Sequence, residues 1–266
     1  MQQLGLVATE FGPDGFLPDE PQDRAKALAD KGLRAVGGFV PVVLHDPEAD
    51  PVAEIGRVLA DYTAAGAGTL VLAAATGTDG YDARPELDDD GWSVLLGNLD
   101  RLALVCSRIG ITATLHPHVG TMIENTDEVQ RVLACSRIGL CLDTGHLLIG
   151  GTDPAALAAE HAGRIRHTHL KDVDAAWVGR VRSGAVTYTD AVRGGMYRPL
   201  GQGHVDIASV VGSLERAGYD GWYVLEQDTI LSEPATAAAL ATGVRAPMAD
   251  VRASIEHLLA IAQDLS

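Results

Sequence analysis

Leu142-Asp143-Thr144-Gly145-His146 and, further along, Arg166-His167-Thr168-His169-Leu170-Lys171-Asp172 decide how the rest of the chain is read. Each is the end of a short strand that closes on carboxylate or imidazole groups, the oxygen and nitrogen donors that hold a divalent metal. Outward from them, apolar β-branched runs of about four to eight residues alternate with longer Ala- and Leu-rich stretches of helical period. That alternation is the pattern of a parallel sheet with crossover helices. Seven strands are predicted, at 6–11, 35–44, 69–74, 112–116, 139–143, 165–169 and 222–226. The fold class expected is α/β, a (β/α)8 TIM barrel with seven strands visible, one short of closure.

The helices between carry readable starts. Asp50-Pro51 and Asp153-Pro154 each place a capping carboxylate before a proline whose absent N–H costs nothing at the first helical position. Asn125 and Glu128 have capping-box spacing and open a helix to about residue 136. Further helices are expected at 19–31, 90–107, 207–217 and 247–265. Nothing resembling a repeat or a linker divides the chain, so a single domain over 1–266 is expected. Two stretches break the rhythm. Residues 11–18 are a turn-rich loop, and 172–203 is a long excursion with glycines, Arg182, Arg193 and Arg198, which reads equally well as a lid or rim over a site or as an ordinary surface insertion.

Composition excludes several classes. Twenty Lys and Arg against 36 Asp and Glu give a net charge of −16, which repels phosphate backbones and anionic membranes, so neither nucleic acid nor membrane is an expected partner. The three cysteines, Cys106, Cys135 and Cys141, show no CxxC or paired spacing, which fits a reducing, cytoplasmic setting. No stretch approaches the ~18 uninterrupted apolar residues of a membrane span.

Of nine histidines, His116, His118, His146, His167 and His169 fall at or just past the ends of three successive predicted strands. In a parallel barrel those ends open on one face, so residues distant in sequence converge there. Strand parity sharpens the inference: His116 shares a face with His118, Asp143 with Cys141, and Glu226 with Val224, while Leu115, Leu142 and Leu225 take the opposite faces. The strand at 165–169 fits less well, because Arg166 and Thr168 then face the helices. A single buried histidine is more often a satisfied core residue than a ligand, but Asp143, His169 and Glu226 at three strand ends read together as metal ligands. Glu124 follows its strand by several residues and alone reads as a helix-dipole partner. Glu10 either lines the pocket or forms a salt bridge at its mouth. Gly201-Gln202-Gly203 does not join a strand to a helix and is read as a flexible loop.

The segments His116-Pro117-His118-Val119-Gly120-Thr121 through Glu124, Leu142 to His146, His167 to Asp172, Pro199 to Gly203 and Gly221 to Asp228 together carry a likeness. The chain resembles the sugar isomerase/epimerase-like group of xylose-isomerase-type TIM barrels, and most closely its inosose dehydratase (2-keto-myo-inositol dehydratase) branch. The resemblance implies one divalent metal, Mn2+ or Co2+ first and Mg2+, Zn2+ or Fe2+ as further candidates, held by Glu124, Asp143, His169 and Glu226. It implies His146 on the substrate side and Lys171 and His118 near the reacting carbons, where they are the candidates for acid and base. Glu226 is also a candidate at the reacting centre, and His116, Glu10 and Arg198 are candidates for substrate contact. Lys171 has a blander reading, a pairing with Asp172 or Asp143. The activity implied is dehydration of a cyclic polyhydroxy ketone through an enediolate. A ketose epimerase or isomerase with the same site is the alternative, and a non-catalytic sugar-binding or partner subunit is a third reading. Family members begin with a strand and most of a helix before the segment that matches 3–11 here. The expectation is therefore a start assigned too far downstream or, less favoured, an open barrel whose gap a neighbour fills in a homo-oligomer, with an exposed strand edge as the cost.

Overall fold

The computed structural model describes residues 1–13, 15–230 and 247–265. Its contacts fall into two compact units, Met1–Cys141 with Arg164–His167, and Leu142–Gly163 with Thr168–Ser266.

In the first unit the parallel strands β1 (Ala8–Thr9), β2 (Arg34–Ala35), β3 (Gly37–Val43), β4 (Thr69–Ala75), β5 (Thr112–Leu115) and the start of β6 (Gly139–Asp143) alternate with α1 (Pro21–Ala29), α2 (Pro51–Ala65), α3 (Asp89–Arg108) and α4 (Thr126–Cys135). β1 pairs with β2, and β3, β4, β5 and β6 pair in sequence order. The strand expected at 35–44 is thus divided at Val36. Its second half starts at Gly37, where a Cβ would come within 1.7 Å of the Thr69 carbonyl oxygen, so no other residue fits that approach. The helices bury their apolar stripes at helical spacing: Ile55, Leu59 and Tyr62 on α2, and Trp92, Leu95, Leu99, Leu102 and Cys106 on α3. The capping box at the start of α4 is complete, with Asn125 accepting the Glu128 N–H at 3.1 Å and Glu128 accepting the Asn125 N–H at 3.0 Å.

In the second unit β6 ends at Asp143, and α5 (Thr144–Gly150) begins at the next residue. Then come α6 (Pro154–His161), β7 (Ile165–Leu170, which enters this unit at Thr168), α9 (Ile207–Arg216), β10 (Tyr223–Leu225) and α10 (Pro247–Asp264). β10 lies parallel to β7, pairing Tyr223 with Thr168, Val224 with His169 and Leu225 with Leu170. The excursion at 172–203 is built of defined elements: β8 (Asp172–Val173), α7 (Ala175–Arg182), α8 (Tyr188–Arg193) and β9 (Tyr197–Arg198), with β8 and β9 antiparallel. The two residues of β7 that did not fit the parity reading differ in kind. Arg166 is exposed, whereas Thr168 is fully buried with its hydroxyl donating to the Trp222 carbonyl at 2.8 Å. Among the described residues no helix is long and apolar enough to cross a membrane.

Candidate metal centre

The second unit brings together three of the predicted ligands. Asp143 is the last residue of β6, His169 lies near the end of β7, and Glu226 directly follows β10. The Glu226 N–H still donates to the Leu170 carbonyl at 3.2 Å, which carries the β10 register one residue further and aims Glu226 beside His169. His169 Nδ1 stands 3.1 Å from Glu226 Oε2 and 3.7 Å from Asp143 Oδ2. Asp143 and His169 are buried, and Glu226 keeps 30% of its side chain exposed, which leaves the cluster open on one side. One oxygen of Asp143, one of Glu226 and one nitrogen of His169 all lie within 4.8 Å of one another. Donors bound to one ion at about 2.0–2.2 Å are separated by roughly 3.0–3.6 Å, and the oxygen and nitrogen set is close enough to that spacing to form a candidate site for a divalent metal.

Asp143 has both oxygens committed. Oδ1 accepts the His146 N–H at 2.8 Å as the N-cap of α5, while Oδ2 faces His169 and Lys171. The Lys171 ammonium is buried and lies 2.8 Å from Glu226 Oε2, 3.1 Å from Asp143 Oδ2 and 3.2 Å from Asp228 Oδ2. Burial opposes its charge, but Asp143, Glu226 and Asp228 together prevail and hold its pKa well above the ordinary lysine value. Burial likewise disfavours the Glu226 carboxylate, and Lys171 followed by His169 overcomes this and pulls its pKa well below the usual range. Lys171 thus pairs with Asp143 and two further carboxylates, while Asp172 does something else. Fully buried, Asp172 accepts the N–H groups of Val173, Gly201, Gly203 and Val205, each at 2.9 Å. The turn at Gly201-Gln202-Gly203, expected to be flexible, is therefore pinned at both glycines. At Gly203 a Cβ would lie 2.2 Å from Asp172 Oδ1.

The excursion contributes an aromatic wall. The Tyr188 and Tyr197 hydroxyls are 2.9 Å apart, the Tyr197 ring centroid is 5.7 Å from the Lys171 ammonium, and the His146 ring stands 5.9 Å from that of Tyr188. Burial raises the pKa of both phenols, so they are neutral hydrogen-bonding groups. Arg198 is joined to Asp174 at 3.2 Å.

The other predicted residues belong to the first unit. Glu124 accepts the Gly120 N–H at 2.7 Å and lies 3.4 Å from the Arg84 guanidinium. His118 places Nδ1 2.6 Å from the Val119 carbonyl, and its ring packs against those of Phe39, Tyr81 and His116. His116 is buried, with its N–H on the Leu72 carbonyl at 2.7 Å. Glu10 meets His167 Nε2 at 2.7 Å, the salt-bridge alternative of the sequence reading. Sequence reasoning gave no role to Asp228, Tyr188 or Tyr197. For Asp228 a signal existed, since two residues past Glu226 it continues the same strand face. The tyrosines carried none.

Residues 2–260 match the family model described as xylose isomerase-like TIM barrel. The chain is 33% identical over 254 residues to the rhizopine catabolism protein MocC of Rhizobium meliloti, covering 90% of this chain and 77% of that protein. It is 32% identical over 256 residues to an inosose dehydratase of Geobacillus kaustophilus (strain HTA426), covering 91% and 82%. Among solved structures an L-ribulose 3-epimerase superposes with a TM-score of 0.69 at 16% identity, covering 99% of this chain and 86% of that one, a likeness of fold. With nearly the whole sequence matched, and parallel strands ending in a clustered aspartate, histidine and glutamate, the chain belongs to the xylose isomerase-like TIM barrel family.

Proposed function

We propose that this protein is a metal-dependent lyase that dehydrates a cyclic polyhydroxy ketone of the 2-keto-myo-inositol type through an enediolate. The observation that carries the reading is the Asp143, His169 and Glu226 cluster with a buried lysine against it, in a chain 32% identical to an inosose dehydratase. Asp143, His169 and Glu226 would hold a divalent ion, which would supply Lewis acidity to a bound ketone. The family resemblance adds Glu124 as a fourth ligand and His118 as the acid–base partner of Lys171. His146 is assigned to substrate binding on the same ground, and His116, Arg198 and Glu10, the last through its pairing with His167, are proposed to line the substrate side.

Lys171 is suited to proton transfer by placement. Three carboxylates hold its charge, so it would act as an acid once that pairing is loosened, while its position beside the ligand oxygens brings it near a bound substrate. Tyr188 and Tyr197 screen it from bulk water on one side and offer neutral hydroxyls to a polyol.

Incubation of metal-loaded protein with 2-keto-myo-inositol in heavy water tests the reading. Formation of a dehydrated enone-type product supports the lyase. Deuterium incorporation without loss of water turns it to the epimerase or isomerase that the same ligands would serve. Tight ligand binding with no exchange across a panel of ketoses turns it to the non-catalytic subunit.

A further inference from the structure

We propose that Lys171 is the resident counter-cation of the metal site. In the metal-free protein its ammonium holds Asp143 and Glu226 together, and on entry of the ion it withdraws toward Asp228. This inference rests on reading Asp143, His169 and Glu226 as ligands. The oxygens of Asp143 and Glu226 nearest His169 are the same atoms that accept the ammonium, Oδ2 at 3.1 Å and Oε2 at 2.8 Å. An ion and an ammonium on the same two oxygens repel each other at close range in a buried setting, so the two occupancies compete. Asp143, Glu226 and Asp228 place three carboxylates around one ammonium, and Asp228 is not among the oxygens nearest His169. Both cations can therefore be accommodated once Lys171 gives up the shared oxygens.

The surroundings provide the means. Thr144 fixes the lysine backbone, so movement is confined to the four-carbon stem. Asp228 Oδ2 is already 3.2 Å away, and its side chain is 42% exposed, so it offers a solvated resting place on the open side. The Tyr197 ring faces the ammonium and accepts a cation on its π-face wherever the stem swings within reach. Lys171 thus sets the protein's affinity for the ion against the stability of the metal-free form.

Mn2+ titration calorimetry on the whole chain, with thermal midpoints taken with and without Mn2+, tests this. Lys171→Met is expected to bind Mn2+ roughly tenfold tighter than wild type, to melt lower without metal, and to gain more on loading. Lys171→Arg, which keeps the cation, should stay within a few-fold of wild type. Asp228→Asn should weaken Mn2+ binding in the wild-type background, and most of that effect should disappear when Lys171 is also Met, because the two residues act through one another. Unchanged or weaker binding by Lys171→Met, or additive effects in the double variant, overturns the inference. If neither wild type nor Lys171→Met binds Mn2+, the ligand reading itself fails and this inference falls with it. Binding by wild type with no change on substitution overturns this inference alone.

Discussion

The hydroxyl of Thr144 closes both backbone hydrogen bonds of Lys171, accepting its N–H at 2.8 Å and donating to its carbonyl oxygen at 2.5 Å. The first residue of α5 therefore holds the lysine that follows β7, and one hydroxyl ties together two segments of the second unit. Thr144→Val keeps the shape and removes both bonds. Each orphaned buried group costs about 1–3 kcal/mol, so urea unfolding should show a clear loss of stability. Thr144→Ser should recover most of it. Equal stability of the Val variant would mean that the clamp carries no weight.

The ligand assignment is tested by removal. Asp143→Ala and Glu226→Ala should each abolish stoichiometric metal in the purified protein, read by elemental analysis. Asp143→Asn separates two roles, because an amide oxygen can still cap α5 while the charge is lost. That variant should keep the cap of α5, lose stability because the buried Lys171 ammonium loses one carboxylate, and bind no metal. Retention of metal by both alanine variants contradicts the assignment.

Chelation should lower the thermal midpoint of metal-loaded protein. An ion present at about a hundred times its dissociation constant adds roughly 2.7 kcal/mol to folding stability. Readdition of Mn2+ should restore the midpoint, and in Glu226→Ala neither step should have any effect.

Asp172 holds the 201–205 turn by single-residue contacts, so its loss should be local and large. Asp172→Ala leaves the N–H groups of Val173, Gly201, Gly203 and Val205 without their acceptor, at about 1–3 kcal/mol for each that water cannot reach. Limited proteolysis is expected to cut near 201–205 in this variant and not in wild type. Gly203→Ala, which drives a Cβ onto Asp172 Oδ1, should give the same cleavage pattern.

A pH dependence follows from Asp206, the N-cap of α9. Its carboxylate accepts the Ser209 N–H at 2.9 Å and the Ser209 hydroxyl at 2.7 Å, and these bonds, the N–H first, lower its pKa. A carboxyl whose folded pKa lies below its unfolded value of about 3.9 stabilises fully above that value and loses the contribution as pH falls through the folded one. The stability of Asp206→Asn should therefore fall less steeply than that of wild type on acidification below about pH 4. Urea midpoints of the two proteins across that window are the measurement.

Much of this was legible in the sequence, and the reasons are physical. The strands could be read because a parallel strand covered on both faces is a continuous apolar run, as Leu70 to Ala74 show by their full burial. Parity placed Asp143 and Glu226 because it depends only on the two-residue repeat of a strand. Glu124 lay beyond it, since several residues of loop separate it from β5, and only resemblance named it. α5 was missed because Thr144 to Gly150 is a short helix with two glycines and no loop before it. Within 172–203 the elements are too short to show a period, and the long-range partners that hold them, such as Asp172, leave no local signature.

The direct passage from β6 into α5 at Asp143 has one more consequence. A chain that paired β6 one residue out of register would point the Asp143 carboxylate at the helices and remove the cap of α5 in the same step. Correct folding of this segment and competence to hold an ion are thus one event, and a metal titration of refolded protein counts the fraction of molecules in which the strand has found its place.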